Sequence, residues 1–156
     1  MSQTMDRPNA DETRAIMADN HFPQPPEKVW RSLTEPSLLT KWLMPNDIRP
    51  VVGHHFTFQA PAVPGWDGVV HCEVLAVEPM RLLQYSWRGG SKDVQGFGHY
   101  LDTVVTWTLT PATDGGTDLH LVHDGFTPAD SIAYSGMGDG WRTKGPVLAR
   151  VLEEIA

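Results

Sequence analysis

One cysteine, Cys72, stands among the 156 residues, so no intramolecular disulfide can form and the apolar core must hold the fold alone. No stretch approaches the ~18 consecutive apolar residues of a membrane span. The N-terminus has neither the basic start nor the apolar run of a secretory signal, so a reducing, cytoplasmic location is expected. Positive charge is scarce: 12 Lys and Arg against 19 Asp and Glu leave a formal net charge of −7. The basic side chains are also scattered, from Arg31 and Lys41 through Arg88 and Lys92 to Lys144 and Arg150. Phosphate backbones and anionic surfaces would be repelled, so no nucleic acid is expected as a partner. There is no internal repeat. Residues 1–11, MSQTMDRPNAD, are polar and unpatterned and are expected to form a disordered tail, leaving 12–156 as one domain.

Catalytic and cofactor motifs are equally thin. No GxSxG elbow appears, and the turn-rich links GWDG and GGSKDVQGFG match neither GxxxxGKS/T nor GxGxxG, so no cofactor is expected. Seven histidines raise the question of a metal. His120 and His123, three apart on a strand, point to opposite faces; His54 and His55 are adjacent and also diverge; no second cysteine completes a ligand set. No metal site is expected.

What is present is a definite change of hydrophobic period along the chain. Glu12 to Phe22 reads as a first strand. Pro25 and Pro26 then open a segment in which Val29, Trp30 and Leu33 fall at helical spacing, and Pro36 opens a second short helical piece; proline is tolerated in a first helical turn. Thr34 either stops the first helix or caps the second. From Ile48 to Phe126, Gly and Pro separate alternating runs. The strand candidates are Val51 to Gln59, Gly68 to Val77, Arg81 to Arg88, Tyr100 to Thr110 and Thr117 to Asp124. Leu83, Tyr85 and Trp87 share one parity, as do Val105, Trp107 and Leu109, which sets one apolar face against one polar face. Asp139 to Ala156 carries Trp141, Leu148, Val151, Leu152 and Ile155 on one helical face. Pro146 interrupts it. Either the helix begins near Lys144 with Pro146 in its first turn, which the tolerance of opening turns favours, or a longer helix kinks there. The fold class is α+β: a curved antiparallel sheet around a long C-terminal helix, with two short helices after the first strand.

Several spaced motifs carry a family likeness. FPQPPEKVWRSLTEPSLLTKWLMP (Phe22 to Pro45), PVVGHHFTF (Pro50 to Phe58), GWDGVVHCEVLAVEPMRLLQYSW (Gly65 to Trp87), VVTWTLTP (Val104 to Pro111), GGTDLHLVHDGF (Gly115 to Phe126) and the late Gly140–Trp141 resemble the activator of Hsp90 ATPase homologue family. That family falls in the START-like, or Bet v 1-like (SRPBCC), superfamily of helix-grip domains, whose members include lipid and hormone carriers and polyketide cyclases. The resemblance runs from about residue 12 to the end and implies the helix-grip fold. The co-chaperone that names the family has a separate N-terminal domain with no counterpart in this sequence, so Hsp90 is not expected as a partner. Gly89 to Asp102 is longer than the family's usual link, and Pro146 is also unusual for it.

Ligand sites are mostly apolar and aromatic, with a few polar groups that fix orientation. Trp42, Phe56, Phe58, Tyr85, Trp87, Trp107, Leu121, His123, Trp141 and Leu148 fit that description as the wall of a cavity between sheet and helix, although inward tryptophans serve equally well as solid core. His123 shares the parity of Leu119 and Leu121. It is either a satisfied core residue or a group that contacts a ligand or moves its proton. His99, Tyr100 and Asp102 stand where a cavity mouth would be, or are simply a polar strand start. Cys72, on the parity of Val70 and Val74, reads as a small buried residue, and His71 and Glu73 as a solvated pair. The expected function is that of a binding protein for an apolar or aromatic small molecule. The alternatives are a cyclase/dehydratase-like enzyme using His123 as acid/base and an Hsp90-type interaction module. A free sheet edge would also permit a homodimer.

Overall fold

The computed structural model describes residues 13–91, 93–94 and 98–155. The expected tail and Glu12 lie outside them. Strand β1 (Arg14–Phe22) leads into helices α1 (Pro26–Thr34) and α2 (Pro36–Trp42). Strands β2 (His55–Gln59), β3 (Val69–Glu78), β4 (Leu82–Gly89), β5 (Leu101–Pro111) and β6 (Thr117–Phe126) follow. A 3-10 turn (Pro128–Asp130) then leads to helix α3 (Ser131–Glu154). The sheet is antiparallel throughout, in the order β1-β6-β5-β4-β3-β2. Register shifts at Arg14/Ala15 and Val74/Ala76 are irregularities of the kind that bend a sheet. The expected helix grip is therefore present.

The two short helices follow from their prolines: Pro26 and Pro36 each sit in a first turn, where the missing N–H costs nothing. Thr34 ends α1, its hydroxyl donating to the Trp30 carbonyl at 2.8 Å, and Glu35 serves as C-cap of α1 and N-cap of α2. β2 begins four residues later than the expected Val51. Val51 to His54 form a turn instead, with His54 N–H donating to the Val51 carbonyl at 3.0 Å and Gly53 at φ 90. Val51 and Val52 are left 59% and 62% exposed.

Parity sorts the strands as expected. Val70, Cys72 and Val74, then Leu83, Tyr85 and Trp87, then Val105, Trp107 and Leu109, then Leu119, Leu121 and His123 are all buried on the face that α3 covers. Val29 and Leu33 of α1 join that core, and Lys28 Nζ donates to the Ile155 carbonyl at 3.2 Å, tying α1 to the end of α3.

Pro146 corrects the sequence reading: α3 runs unbroken from Ser131 to Glu154, with Pro146 in its interior rather than in its first turn. Two features make this tolerable. The residue before a proline is pushed out of the helical region partly through its Cβ, and here that residue is Gly145, which has none. The helix is also pinned on both sides of the proline by buried residues, Trp141 before it and Leu148, Val151 and Leu152 after it. Burying one indole alone removes ~150–250 Å² from water, worth about 4–6 kcal/mol, which exceeds the ~3 kcal/mol cost of an interior proline. Gly145 has a second role, since a Cβ there would lie 2.4 Å from Asn20 Oδ1 where α3 crosses β1.

Candidate ligand site

The ten residues expected to wall a cavity do come together, but chiefly to fill space. Their rings form one continuous series of contacts. Trp42 meets Trp107 at 5.8 Å, Trp107 meets Trp141 at 5.5 Å, Trp141 meets Trp87 at 5.8 Å, and Trp87 meets Phe58 at 5.3 Å. Phe58 meets Phe56 at 5.4 Å, and Phe56 meets Tyr85 at 5.2 Å. Trp107 Nε1 donates to the Tyr85 hydroxyl at 3.0 Å, and burial pushes the Tyr85 phenol well above its ordinary pKa. Trp42, Trp107, Leu121, Trp141 and Leu148 leave between them a crevice of only about 10 Å³, room for no more than one water. Nine of the ten are therefore packed core. The expectation of a hollow lined by Trp107 and Trp141 is corrected by the edge-on fit of these indoles, while Trp87 lines a larger space.

His123 is the centre of a closed hydrogen-bond chain. Trp141 Nε1 donates to His123 Nδ1 at 3.0 Å; an indole N–H can only donate, so Nδ1 must be the bare acceptor. The hydrogen is then on Nε2, which donates to Thr103 Oγ1 at 2.8 Å, and that hydroxyl donates on to the Trp87 carbonyl at 2.9 Å. Every donor and acceptor of the ring is used. Burial lowers the His123 pKa to about 3, holding it neutral. The arrangement fixes Trp141 of α3 onto β5 and β6 and leaves no proton for transfer to a guest.

The larger hollow, about 290 Å³, lies at one end of the concave face, beneath the first turns of α3. Val70 of β3, Trp87 of β4 and Leu101 of β5 form its floor, and Trp66 adds a second indole from the loop before β3. Ile132, Ala133, Gly136 and Met137 roof it from one face of α3, at the spacing of successive helical turns. Ile132 is 56% exposed at its edge. Gly89, Gly90 and Gly98 make the rim, where the segment after β4 folds back through Ser91 N–H to the Gly98 carbonyl at 2.9 Å and Tyr100 N–H to the Ser91 carbonyl at 3.1 Å. A Cβ on Gly98, at φ +91, would sit 2.2 Å from the Gly65 carbonyl oxygen, so the two rim loops meet here backbone to backbone. Trp66 is held over the hollow by reciprocal backbone bonds with Val63 at 3.0 Å. A Cβ on Gly136, an exposed residue at the edge of the hollow, would meet nothing within 4 Å.

His99 supplies the site's ionisable group. Its Nδ1 lies 3.1 Å from the Val94 carbonyl, and its Nε2 lies 3.7 Å from Asp130 Oδ1. Asp130 is 5% exposed, its other oxygen taken by the Thr127 N–H at 2.8 Å and the Thr127 hydroxyl at 3.0 Å. Of the other residues weighed for a cavity mouth, Asp102 pairs instead with Arg88 at 2.8 Å. Sequence reasoning left His99 open between a cavity mouth and a polar strand start, and did not single out Trp66, the rim glycines or the first turns of α3. The signals were the long Gly89 to Asp102 link and the glycines of GMGDG, a poor composition for a helix.

Cys72 is buried, and burial pushes its thiol pKa far up, so it has no nucleophilic character. Glu73 lies 4.0 Å from His55 on β2, across the strand pair, rather than forming an ion pair with His71. Among the described residues no group of three His, Cys, Asp or Glu could hold a metal ion, and no helix is long and apolar enough to cross a membrane. A groove of about 400 Å³ between β1 and α3 is the larger space, but its walls are polar and already paired: Tyr134 donates to the Ala15 carbonyl at 3.2 Å and Arg142 to Asp139 at 2.9 Å. The apolar hollow suits a small molecule better.

Among solved structures, protein MLL2253 from Mesorhizobium loti is 40% identical, with a TM-score of 0.81 over 92% of this chain and 99% of that one. Protein BH1534 from Bacillus halodurans is 26% identical, with a TM-score of 0.69 over 89% of this chain and 96% of that one. CalU16 from Micromonospora echinospora is 25% identical, with a TM-score of 0.64 over 92% and 78% respectively. No curated protein matches. Residues 23–153 match the family described as Activator of Hsp90 ATPase homolog 1-like protein, which is nearly the whole of the described fold. The chain belongs to that family.

Proposed function

We propose that this protein holds an apolar, aromatic small molecule in the hollow beneath the first turns of α3. The observation that carries the reading is a space of about 290 Å³ walled by Trp66, Val70, Trp87, Leu101 and Met137, which the helix leaves open at Gly136. Its size is close to the lower end of known ligand pockets, ~300–1,000 Å³, so the guest is compact. An apolar lining with one ionisable group supports binding over chemistry. An enzyme using His123 as acid/base finds no support, since that ring is fully bonded and held neutral.

The test uses the uncharged dye N-phenyl-1-naphthylamine, whose emission rises in apolar surroundings. Wild-type protein is expected to enhance the dye's fluorescence and lose tryptophan emission as Trp66 and Trp87 are quenched. Gly136→Leu fills the hollow and replaces a helical glycine, so it is expected to abolish the signal while melting at the same or a higher temperature. Equal dye binding by both proteins, or none by either, would remove the hollow as a ligand site.

A further inference from the structure

The polar atoms around the hollow specify more than an apolar guest. Resting on the reading just given, we infer that the guest is an uncharged aromatic bearing a hydroxyl, a phenol rather than an aromatic carboxylate. A carbonyl oxygen can only accept, so the 3.1 Å contact with Val94 places a hydrogen on His99 Nδ1. In the neutral ring Nε2 is then a bare acceptor. Asp130 Oδ1, 3.7 Å away, is a second acceptor and cannot satisfy it. If the ring is protonated instead, Nε2 faces that buried carboxylate and its charge is neutralised there. In neither state does His99 offer a free cation to an anion.

The rest of the lining agrees. It contains no Lys or Arg among the described residues, while the carboxylate of Asp130, buried behind His99, repels a second negative charge. A hydroxyl can donate to the bare Nε2 of His99. A carboxylate can only accept, and it meets Asp130.

Calorimetric titration at pH 7.5 with naphthalene, 2-naphthol and 2-naphthoate keeps the ring system constant. The naphthol is expected to bind about three- to tenfold more tightly than naphthalene, the gain of one net hydrogen bond. The naphthoate is expected to bind at least about tenfold more weakly than the naphthol. His99→Phe should bring the ratio of naphthol to naphthalene affinity to one. Asp130→Asn keeps the capping oxygen and should raise naphthoate affinity, a readout independent of the rim's folding. Naphthoate binding as tightly as naphthol, or naphthol gaining nothing over a naphthalene that does bind, overturns the phenol assignment and leaves the apolar site standing. Failure of naphthalene and naphthol alike overturns both.

Discussion

Protonating His123 would turn an imidazole N–H toward the indole N–H of Trp141, a group that cannot accept it. Its folded pKa, about 3, therefore lies below the ~6.5 of an unfolded histidine, and between those values the unfolded chain binds the extra proton. The sign follows: stability from this residue is complete above pH ~6.5 and falls by about 1.4 kcal/mol per unit as the pH drops toward 3. Urea unfolding of wild type and His123→Phe at pH 7 and pH 4 checks this. The variant should be less stable at pH 7 by about 1–3 kcal/mol, the cost of orphaning the Trp141 N–H, and should lack this part of the acid slope. Equal slopes would contradict the neutral tautomer. His21 has the opposite sign. Hydrogen bonds to Asp118 and Asp114, each 2.8 Å, raise its pKa, so its contribution is present at low pH and is lost as pH rises through the raised value. It is exposed, and solvent screens the effect. Trp107, by contrast, is uncharged packing: Trp107→Ala should cost about 3–5 kcal/mol in unfolding free energy.

At the scale of elements, α3 carries one prediction and the clearest lesson in what patterning conveys. Its apolar stripe after Pro146 was legible because Leu148, Val151 and Leu152 recur at helical spacing. Its first half was not, because Gly136, Gly138 and Gly140 lower helix propensity and the segment roofs a hollow instead of filling a core. The proline misled for a related reason. The penalty is a property of the residue, whereas its tolerance depends on Gly145 beside it and on what Trp141 packs against. Pro146→Ala restores an N–H within the helix and should stabilise the fold by about 1–3 kcal/mol in thermal or urea unfolding. The rim behaves differently. Gly98→Ala places a Cβ 2.2 Å from the Gly65 carbonyl oxygen at φ +91, and should cost at least about 2 kcal/mol and loosen the hollow. An unchanged melting temperature would show that the two loops do not meet this closely. The strands were legible throughout, since a period of two survives every local irregularity except at the ends, where the Val51 to His54 turn displaced the start of β2.

For the molecule as a whole, parity identified which side chains face inward, and all ten candidate residues do. What parity cannot convey is complementarity, whether facing side chains fill the gap between them. Trp42, Trp107 and Trp141 meet edge to face and close one end of the grip. Gly89, Gly90, Gly98 and Gly136 leave the other end open, and glycines are what a search for pocket-lining aromatics passes over. The fold thus divides into a solid half that carries stability and a hollow half, the proposed place of the guest, joined at Trp87. The most direct test is to soak crystals with 2-bromonaphthalene and collect data at the bromine absorption edge. The account predicts one anomalous peak between Trp87 and the Gly136–Met137 turn of α3; bromine found only elsewhere, or nowhere, at saturating soak would contradict it.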